Sequence, residues 1–200
     1  MVRYAVRALD ALATGCSTRA LGPTVMHLRK SIAPVRDIFQ RQGIALPEEP
    51  GVYAFWWTAD RAELLAGNCH IVLKGPAEKP VDVEYKDWWP KNLKFPCLYV
   101  GKTTNIKNRF ALHIKRGSKG RLHFPQPGNR KAKPNTTSCQ LRFGIEHVFP
   151  REQSPLELIF RCVGFSYTTK FPDNAIAERF FEEDRLVGTW RPWFNVDSER

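Results

Sequence analysis

The chain has 200 residues, 42% of them apolar and 26% charged, with a formal net charge of +11; that is enough for one domain with a real core, or a domain and a small arm. No apolar run approaches the roughly 20 residues needed to cross a bilayer. The basic, helix-patterned residues 1–30 lack the compact apolar stretch and small-residue cleavage site of a secretory signal. The cysteines (Cys16, Cys69, Cys97, Cys139 and Cys162) are odd in number and never spaced C-x-x-C. This argues against a disulfide framework or a zinc knuckle and for a reducing, cytoplasmic setting.

Read in chain order, residues 1–47 predict a helical arm. Val2, Val6, Leu9 and Leu12 mark a first amphipathic stretch, Gly22-Pro23 a break, and Thr24 to Arg41 a second helix kinked at Pro34. Pro47 to Pro50 is a turn-rich linker. Gly51 to Trp57 (GVYAFWW) and Cys97 to Lys102 (CLYVGK) predict strands from their aromatic and β-branched content. Between them lie a further strand candidate, His70 to Lys74, and an aromatic cluster of Tyr85, Trp88 and Trp89. A helix follows from about Thr104 to Arg116. Gly117 to Pro134 is a basic, Gly- and Pro-rich loop. Thr137 to Phe149 is a short helix capped by Thr137 or Ser138. Leu156 to Thr168 is the third main strand, and Asn174 to Thr189 a helix with Asp173 or Asn174 as its cap.

The charge is localised. From Lys102 to Ile145 there is no Asp or Glu, but there are Lys102, Lys107, Arg109, Lys115, Arg116, Lys119, Arg121, Arg130, Lys131, Lys133 and Arg142; the remainder of the chain carries as many bases as acids. So long a stretch of one sign repels itself unless a polyanion lies against it, which points to nucleic acid.

Three groups of residues carry chemistry. Arg109 and His113 are one helical turn apart, offering a planar phosphate-binding fork beside an imidazole. Tyr53 and Tyr99 sit beside glycines in GVY and YVG and share a sheet face if the strands pair in register. In the last helix, Ile176, Phe180, Val187 and Trp190 mark an apolar stripe whose missing member is Glu183. A carboxylate there is costly unless it is paired, for example with Arg109, or holds a cation. Asn195, in RPWFN, is placed to orient that carboxylate or to lock the chain end. The Trp56-Trp57 and Trp88-Trp89 pairs can stack on bases, with at least one member of each in the core. His27, His70, His123 and His147 have no ligand-like spacing.

Together these residues resemble the GIY-YIG nuclease family: Gly51-Val52-Tyr53, Tyr99-Val100-Gly101-Lys102, the helix with Arg109 and His113, and Glu183 followed by Leu186, Val187, Pro192 and Asn195, in the family's order. Valine stands for isoleucine in both tripeptides, and the gaps from Tyr53 to Tyr99 and from Arg109 to Glu183 exceed a compact family core. The resemblance implies an α+β fold over residues 51–196, a small three-stranded antiparallel sheet flanked by helices, with insertions at about 58–96 and 117–155. It implies a catalytic set of Tyr53, Tyr99, Lys102, Arg109, His113, Glu183 and Asn195. Glu183 holds Mg²⁺, or Mn²⁺ in its place, to polarise the scissile phosphate. Arg109 stabilises charge at phosphorus; one of the two tyrosines, Tyr53 ahead of Tyr99, is the proton acceptor while the other positions water or phosphate, and His113 is a second donor or relay. An ordinary phenol ionises near 10 and is a poor base at neutral pH, so the metal, Arg109 and Lys102 must favour its phenolate.

The absence of room for a separate DNA-binding domain is most like the type II restriction endonucleases of this family: sequence-specific cutters of double-stranded DNA, leaving 5′-phosphate and 3′-hydroxyl ends. Such an enzyme works as a homodimer or larger homo-oligomer, because one site cuts one strand, and beside a companion DNA methyltransferase. DNA contacts fall to Lys107, Lys115, Arg116, Lys119, Arg121, Arg130, Lys131, Lys133 and Arg142, with Arg130, Lys131, Lys133 and Arg142 nominated to read bases. The alternatives are a repair or structure-specific nuclease of the same family, a binding module with a vestigial site, and a nuclease acting on RNA.

Overall fold

The computed structural model describes residues 23–40, 45–74, 80–117 and 140–196. Its centre is strand β2 (Gly51–Trp57), every residue of which is buried. The sequence GVYAFWW does not alternate because both faces of this strand are covered, so both need apolar side chains. On one side β2 pairs antiparallel with β5 (Cys97–Thr103), Tyr53 lying opposite Gly101 and Phe55 opposite Tyr99. On the other it pairs antiparallel with β6 (Val163–Thr168), Tyr53 opposite Tyr167 and Phe55 opposite Phe165. The expected three-stranded antiparallel sheet is therefore present. A two-residue strand β1 (Ala33–Pro34) extends it beyond β6, giving the order β1-β6-β2-β5. The architecture is mixed α+β: a small antiparallel sheet with helices on both faces.

Glycines set the tightness of this sheet at two points. A Cβ at Gly51 would collide with the carbonyl oxygen of Thr168, and one at Gly101 would fall on the Tyr53 hydroxyl. The second clash ties the YVG glycine directly to the GVY tyrosine: the phenol lies over a residue that must have no side chain.

One face of the sheet carries Tyr53, Phe55, Tyr99, Phe165 and Tyr167. Helix α4 (Ile106–Lys115) covers it, Phe110 packing on Phe165 and Phe55 with ring centroids 4.9 Å and 6.2 Å apart. Asn105 caps α4 by accepting from Asn108 N at 2.8 Å, and Ile106, Phe110, His113 and Ile114 form its buried stripe. On the opposite face, Trp56 meets Trp190 of helix α7 (Ile176–Trp190) at 4.7 Å.

The insertion between β2 and β5 holds a short helix α3 (Arg61–Leu65) and a separate hairpin of β3 (His70–Lys74) and β4 (Pro80–Glu84). It is wired to the chain's C-terminal part. Trp193, in a single 3₁₀ turn (Trp193–Asn195), is sandwiched between Tyr85 at 5.0 Å and Trp89 at 4.6 Å, and donates through Nε1 to Lys86 O. The Trp88 indole donates to Arg191 O at 2.8 Å.

Several expectations change. Thr24–Arg41 is not one kinked helix: α1 (Pro23–Lys30) stops, Ala33–Pro34 joins the sheet, and a short α2 (Val35–Phe39) follows. Pro34, with its fixed φ and missing N–H, suits an edge strand better than a helix interior. Leu28, Val35 and Ile38 are buried, so the described part of the arm belongs to the same core. Leu156–Thr168 is not one strand. Helix α6 (Pro155–Cys162) occupies its first half, burying Leu158, Ile159 and Cys162 while Glu157 and Arg161, four residues apart, face out; a short apolar run with so few charges does not by itself distinguish a helix from a strand.

Helix α5 (Gln140–Val148) lies in the second insertion, yet Leu141, Ile145 and Val148 are fully buried; its nominated caps, Thr137 and Ser138, lie outside the described residues. Neither Asp173 nor Asn174 caps α7: its N-cap is Ala175, and Asp173 O accepts instead from Arg179. Trp56, Trp57 and Trp89 are core residues and Trp88 is half-buried, so base stacking by these pairs is ruled out for all but Trp88. The N-terminal stretch from Val2 to Leu12 lies outside the described residues. Among the described residues no helix is long and apolar enough to cross a membrane, and Cys69, Cys97 and Cys162 are unbonded thiols.

Candidate active site

The register of β2 and β5 brings the two tyrosines to one face, with ring centroids 6.1 Å apart. Helix α4 then lowers His113 between them, 4.9 Å from the Tyr99 ring and 5.5 Å from that of Tyr53. His113 has no exposed surface. Its Nδ1 accepts from Leu141 N at 3.4 Å, which leaves Nε2 as the protonated nitrogen of a neutral ring. Nε2 lies 2.8 Å from the Tyr53 hydroxyl and donates to it. Arg109, one turn earlier on α4, donates to the same oxygen through Nε at 3.2 Å. The Tyr53 oxygen thus accepts from two donors, one of them cationic.

Burial, and then the Arg109 charge, push the His113 pKa down to about 3. The imidazole therefore stays neutral and its tautomer fixed throughout the ordinary pH range. Tyr53 and Tyr99 are themselves buried, whereas Arg109 is half-buried on the flank of α4. A ligand meets the guanidinium before either phenol.

The second group sits at the open edge of the sheet. β5 is an edge strand, and its outward-facing backbone groups need partners. Asn195 supplies them for Val100, accepting from Val100 N at 2.7 Å and donating to Val100 O at 2.8 Å. Glu183 does the same two residues on: Oε1 accepts from Lys102 N at 3.1 Å, and Oε2 pairs with Lys102 Nζ. The spacing from Glu183 to Asn195 is the spacing needed to cover alternate residues of one edge. The Lys102 ammonium also lies 4.3 Å over the Phe180 ring.

Glu183 does turn inward, its side chain only 15% exposed, but not as a member of the expected stripe. Ile176 and Phe180 are exposed, and the buried face of α7 is Arg179, Leu186 and Trp190. The helix is rotated because Leu186 and Trp190 fill the space beneath the sheet while Glu183 reaches the β5 edge. Its cationic partner is Lys102 rather than Arg109.

The donor set decides what cation Glu183 could hold. Among the described residues no three His, Cys, Asp or Glu side chains cluster as metal ligands. Mg²⁺ takes one or two protein carboxylates and completes its shell from water and substrate phosphate. A single carboxylate therefore fits a phosphate-bridged Mg²⁺ and does not fit a metal held by protein alone.

The nominated DNA-contacting residues divide. Lys107 is exposed and paired with Glu48 at 2.6 Å; Lys115 is exposed and Arg116 half-buried, both at the end of α4. Arg142 is corrected: only 4% exposed, it is paired with Glu146 at 2.9 Å and donates to Ile114 O and Lys115 O, so it fastens α5 to the end of α4 instead of reading bases. Lys119, Arg121, Arg130, Lys131 and Lys133 lie outside the described residues. What the sequence did not disclose is the Leu141 N–H that fixes the His113 tautomer, since a backbone donor has no residue signature. Tyr167, in register beside Tyr53, was visible only as part of a longer apolar run.

No protein-family model, curated protein or solved structure matches the chain.

Proposed function

We propose that the protein is a Mg²⁺-dependent endonuclease that hydrolyses double-stranded DNA to 5′-phosphate and 3′-hydroxyl ends, acting sequence-specifically in the manner of a restriction enzyme. The observation that carries the reading is the convergence of Arg109 and neutral His113 on the Tyr53 oxygen. Two donors on one phenolic oxygen favour negative charge there, a costly arrangement inside a core that needs only packing.

In this reading Arg109 and Lys102 receive the scissile phosphate, and Arg109 stays on its oxygens as charge develops. Tyr53, as phenolate, takes a proton from the attacking water while His113 Nε2–H holds the phenol in place. The water oxygen bonds to phosphorus, the P–O3′ bond breaks with its electron pair on O3′, and O3′ takes a proton from solvent. Glu183 would hold Mg²⁺, which when bound would supply Lewis-acid polarisation of the phosphate. Tyr53 is buried, so substrate must displace its cover before reaction, a step of the lid-opening kind. Homodimerisation, a companion methyltransferase and a cytoplasmic setting belong to the same proposal.

The test is digestion of several unmethylated plasmids with Mg²⁺. Discrete, reproducible bands support the restriction reading. Smears point to a non-specific nuclease, and cutting confined to branched or nicked DNA to a repair enzyme. Absence of Mg²⁺-dependent cleavage on every substrate overturns hydrolysis. A second reading, a DNA-binding module with a vestigial site, draws on the β5 edge: Glu183 and Asn195 are accounted for there by backbone hydrogen bonds and the Lys102 ion pair.

A further inference from the structure

The tyrosine-bearing face of the sheet does not end at Tyr53. Beside it in register on β6 is Tyr167, and Phe165 lies 5.8 Å from the Tyr53 ring and 5.9 Å from that of Tyr167. These two rings line a cleft of about 330 Å³ between α1 and β6, together with His27, Ser31, Thr168 and Lys170. Ligand pockets run from about 300 to 1,000 Å³, so this one takes a single small ligand.

Its lining is chemically one-sided. The titratable groups facing it are the Lys170 ammonium, the His27 imidazole and the Tyr167 phenol; no lining residue is acidic. Lys170 and His27 are exposed at the mouth, whereas Phe165 is buried and Tyr167 half-buried. Thr168 Oγ1 accepts from Lys170 N, and Ser31 Oγ donates to His27 O, so each hydroxyl oxygen is already oriented by the backbone. An aromatic floor with a cationic, acid-free rim suits a ligand that is flat at one end and anionic at the other. A metal cation finds no carboxylate here, and a purely apolar ligand would leave the Lys170 charge without a counterpart.

We propose that this cleft is a nucleotide-binding subsite: one unstacked nucleotide lies with its base over Tyr167 and Phe165 and its phosphate on Lys170 and His27. For the source of that nucleotide the inference rests on the nuclease reading. A strand whose scissile phosphate is at Arg109 passes Tyr53 and reaches Tyr167 on the neighbouring strand, so the subsite holds a residue flanking the cut. Extruding a base from the stack in this way is a recognised route to reading it.

The experiment uses the full-length Glu183→Gln protein, so that binding is read without cleavage. Oligonucleotides carrying 2-aminopurine at successive positions, and free 2-aminopurine deoxynucleotide monophosphate, are titrated by fluorescence and anisotropy. The expected result is a change in emission at one position of the strand, kept by Tyr167→Phe and lost in Tyr167→Ala, with affinity falling about tenfold to a hundredfold. Lys170→Glu, an exposed change that spares the core, should weaken binding similarly. A response of the free nucleotide alone supports the subsite and assigns it to a soluble ligand. Unchanged emission and affinity in Tyr167→Ala and Lys170→Glu overturn it. Cleavage by the unsubstituted protein, assayed in parallel with Mg²⁺, separates the two readings: cutting without the emission change sinks only the subsite, and the emission change without cutting sinks only the nuclease.

Discussion

The Tyr53 cluster and the β5 edge belong to one sheet, the first on the face that α4 covers and the second along the outer side of the last strand, and they are held in different ways. At the edge, Glu183 and Asn195 bond to the backbone of Lys102 and Val100. Those contacts satisfy groups that any edge strand leaves open, so the polar residues there have a structural reason to exist. In the Tyr53 cluster two side-chain donors converge on one phenolic oxygen, and the histidine among them, anchored by Leu141 N, is held neutral and fully buried. An apolar ring in place of His113 would fill the same space but take the acceptor from Leu141 N and one donor from the Tyr53 oxygen. The comparison teaches that the Glu183 and Asn195 positions, the clearest carboxylate–amide pair in the sequence, are the less diagnostic half of the site, and the tyrosine–arginine–histidine group the more diagnostic.

That contrast can be broken at its supports. The largest effect is expected beneath the Tyr53 cluster, where Arg142 and Glu146 form a buried pair tied to the end of α4. Arg142→Ala should cost about 3–5 kcal/mol in urea denaturation by removing the guanidinium that faces the buried Glu146 carboxylate, and replacing both by apolar residues of similar volume should restore most of it.

Next is the pH response of His113. Unfolded, it takes up a proton as pH falls through about 6.5; folded, it resists protonation down to about 3. Its contribution is therefore full above the upper value and drains away between the two, by on the order of 5 kcal/mol. His113→Phe should flatten that share of the stability–pH curve, and DNA cleavage should show no limb from this imidazole between pH 5 and 8.

A smaller change sharpens the comparison from the sheet side. Gly101→Ala puts a methyl onto the Tyr53 hydroxyl and should cost about 1–3 kcal/mol in thermal denaturation. It should also perturb the His113 imidazole resonances, because the phenol bonded to that ring must move. At the other region, Asn195→Ala uncovers both polar groups of Val100 where water can replace part of the bonding. Its cost should fall toward the low end of about 1–3 kcal/mol, with the His113 resonances unmoved.

The sheet was legible because aromatic and β-branched residues cluster in GVYAFWW and CLYVGK, and α4 because its apolar spacing is regular behind Asn105. Helix α6 was not, since only Glu157 and Arg161 mark its outer face and the apolar run passes without a break into β6. The face of α7 was misread for a related reason: Phe180 and Ile176 are apolar but exposed, while Arg179 is buried by bonding to the carbonyls of Pro172 and Asp173. Arg142 looked like a DNA contact because its partner, Glu146, begins just past the acid-free stretch. Of the site, the resemblance put Tyr53, Arg109 and His113 in one set without saying that both bond to the phenol, and it did not disclose that Glu183 would answer to Lys102.

The most direct test of the hydrolytic account compares the parent protein with Glu183→Gln on the same DNA with Mg²⁺. The amide oxygen still accepts from Lys102 N but is a far poorer metal ligand. The account predicts cleavage reduced at least a hundredfold, with melting temperature and DNA affinity nearly unchanged. Cleavage at the parent rate would contradict it, leaving Glu183 as a cap on the sheet edge.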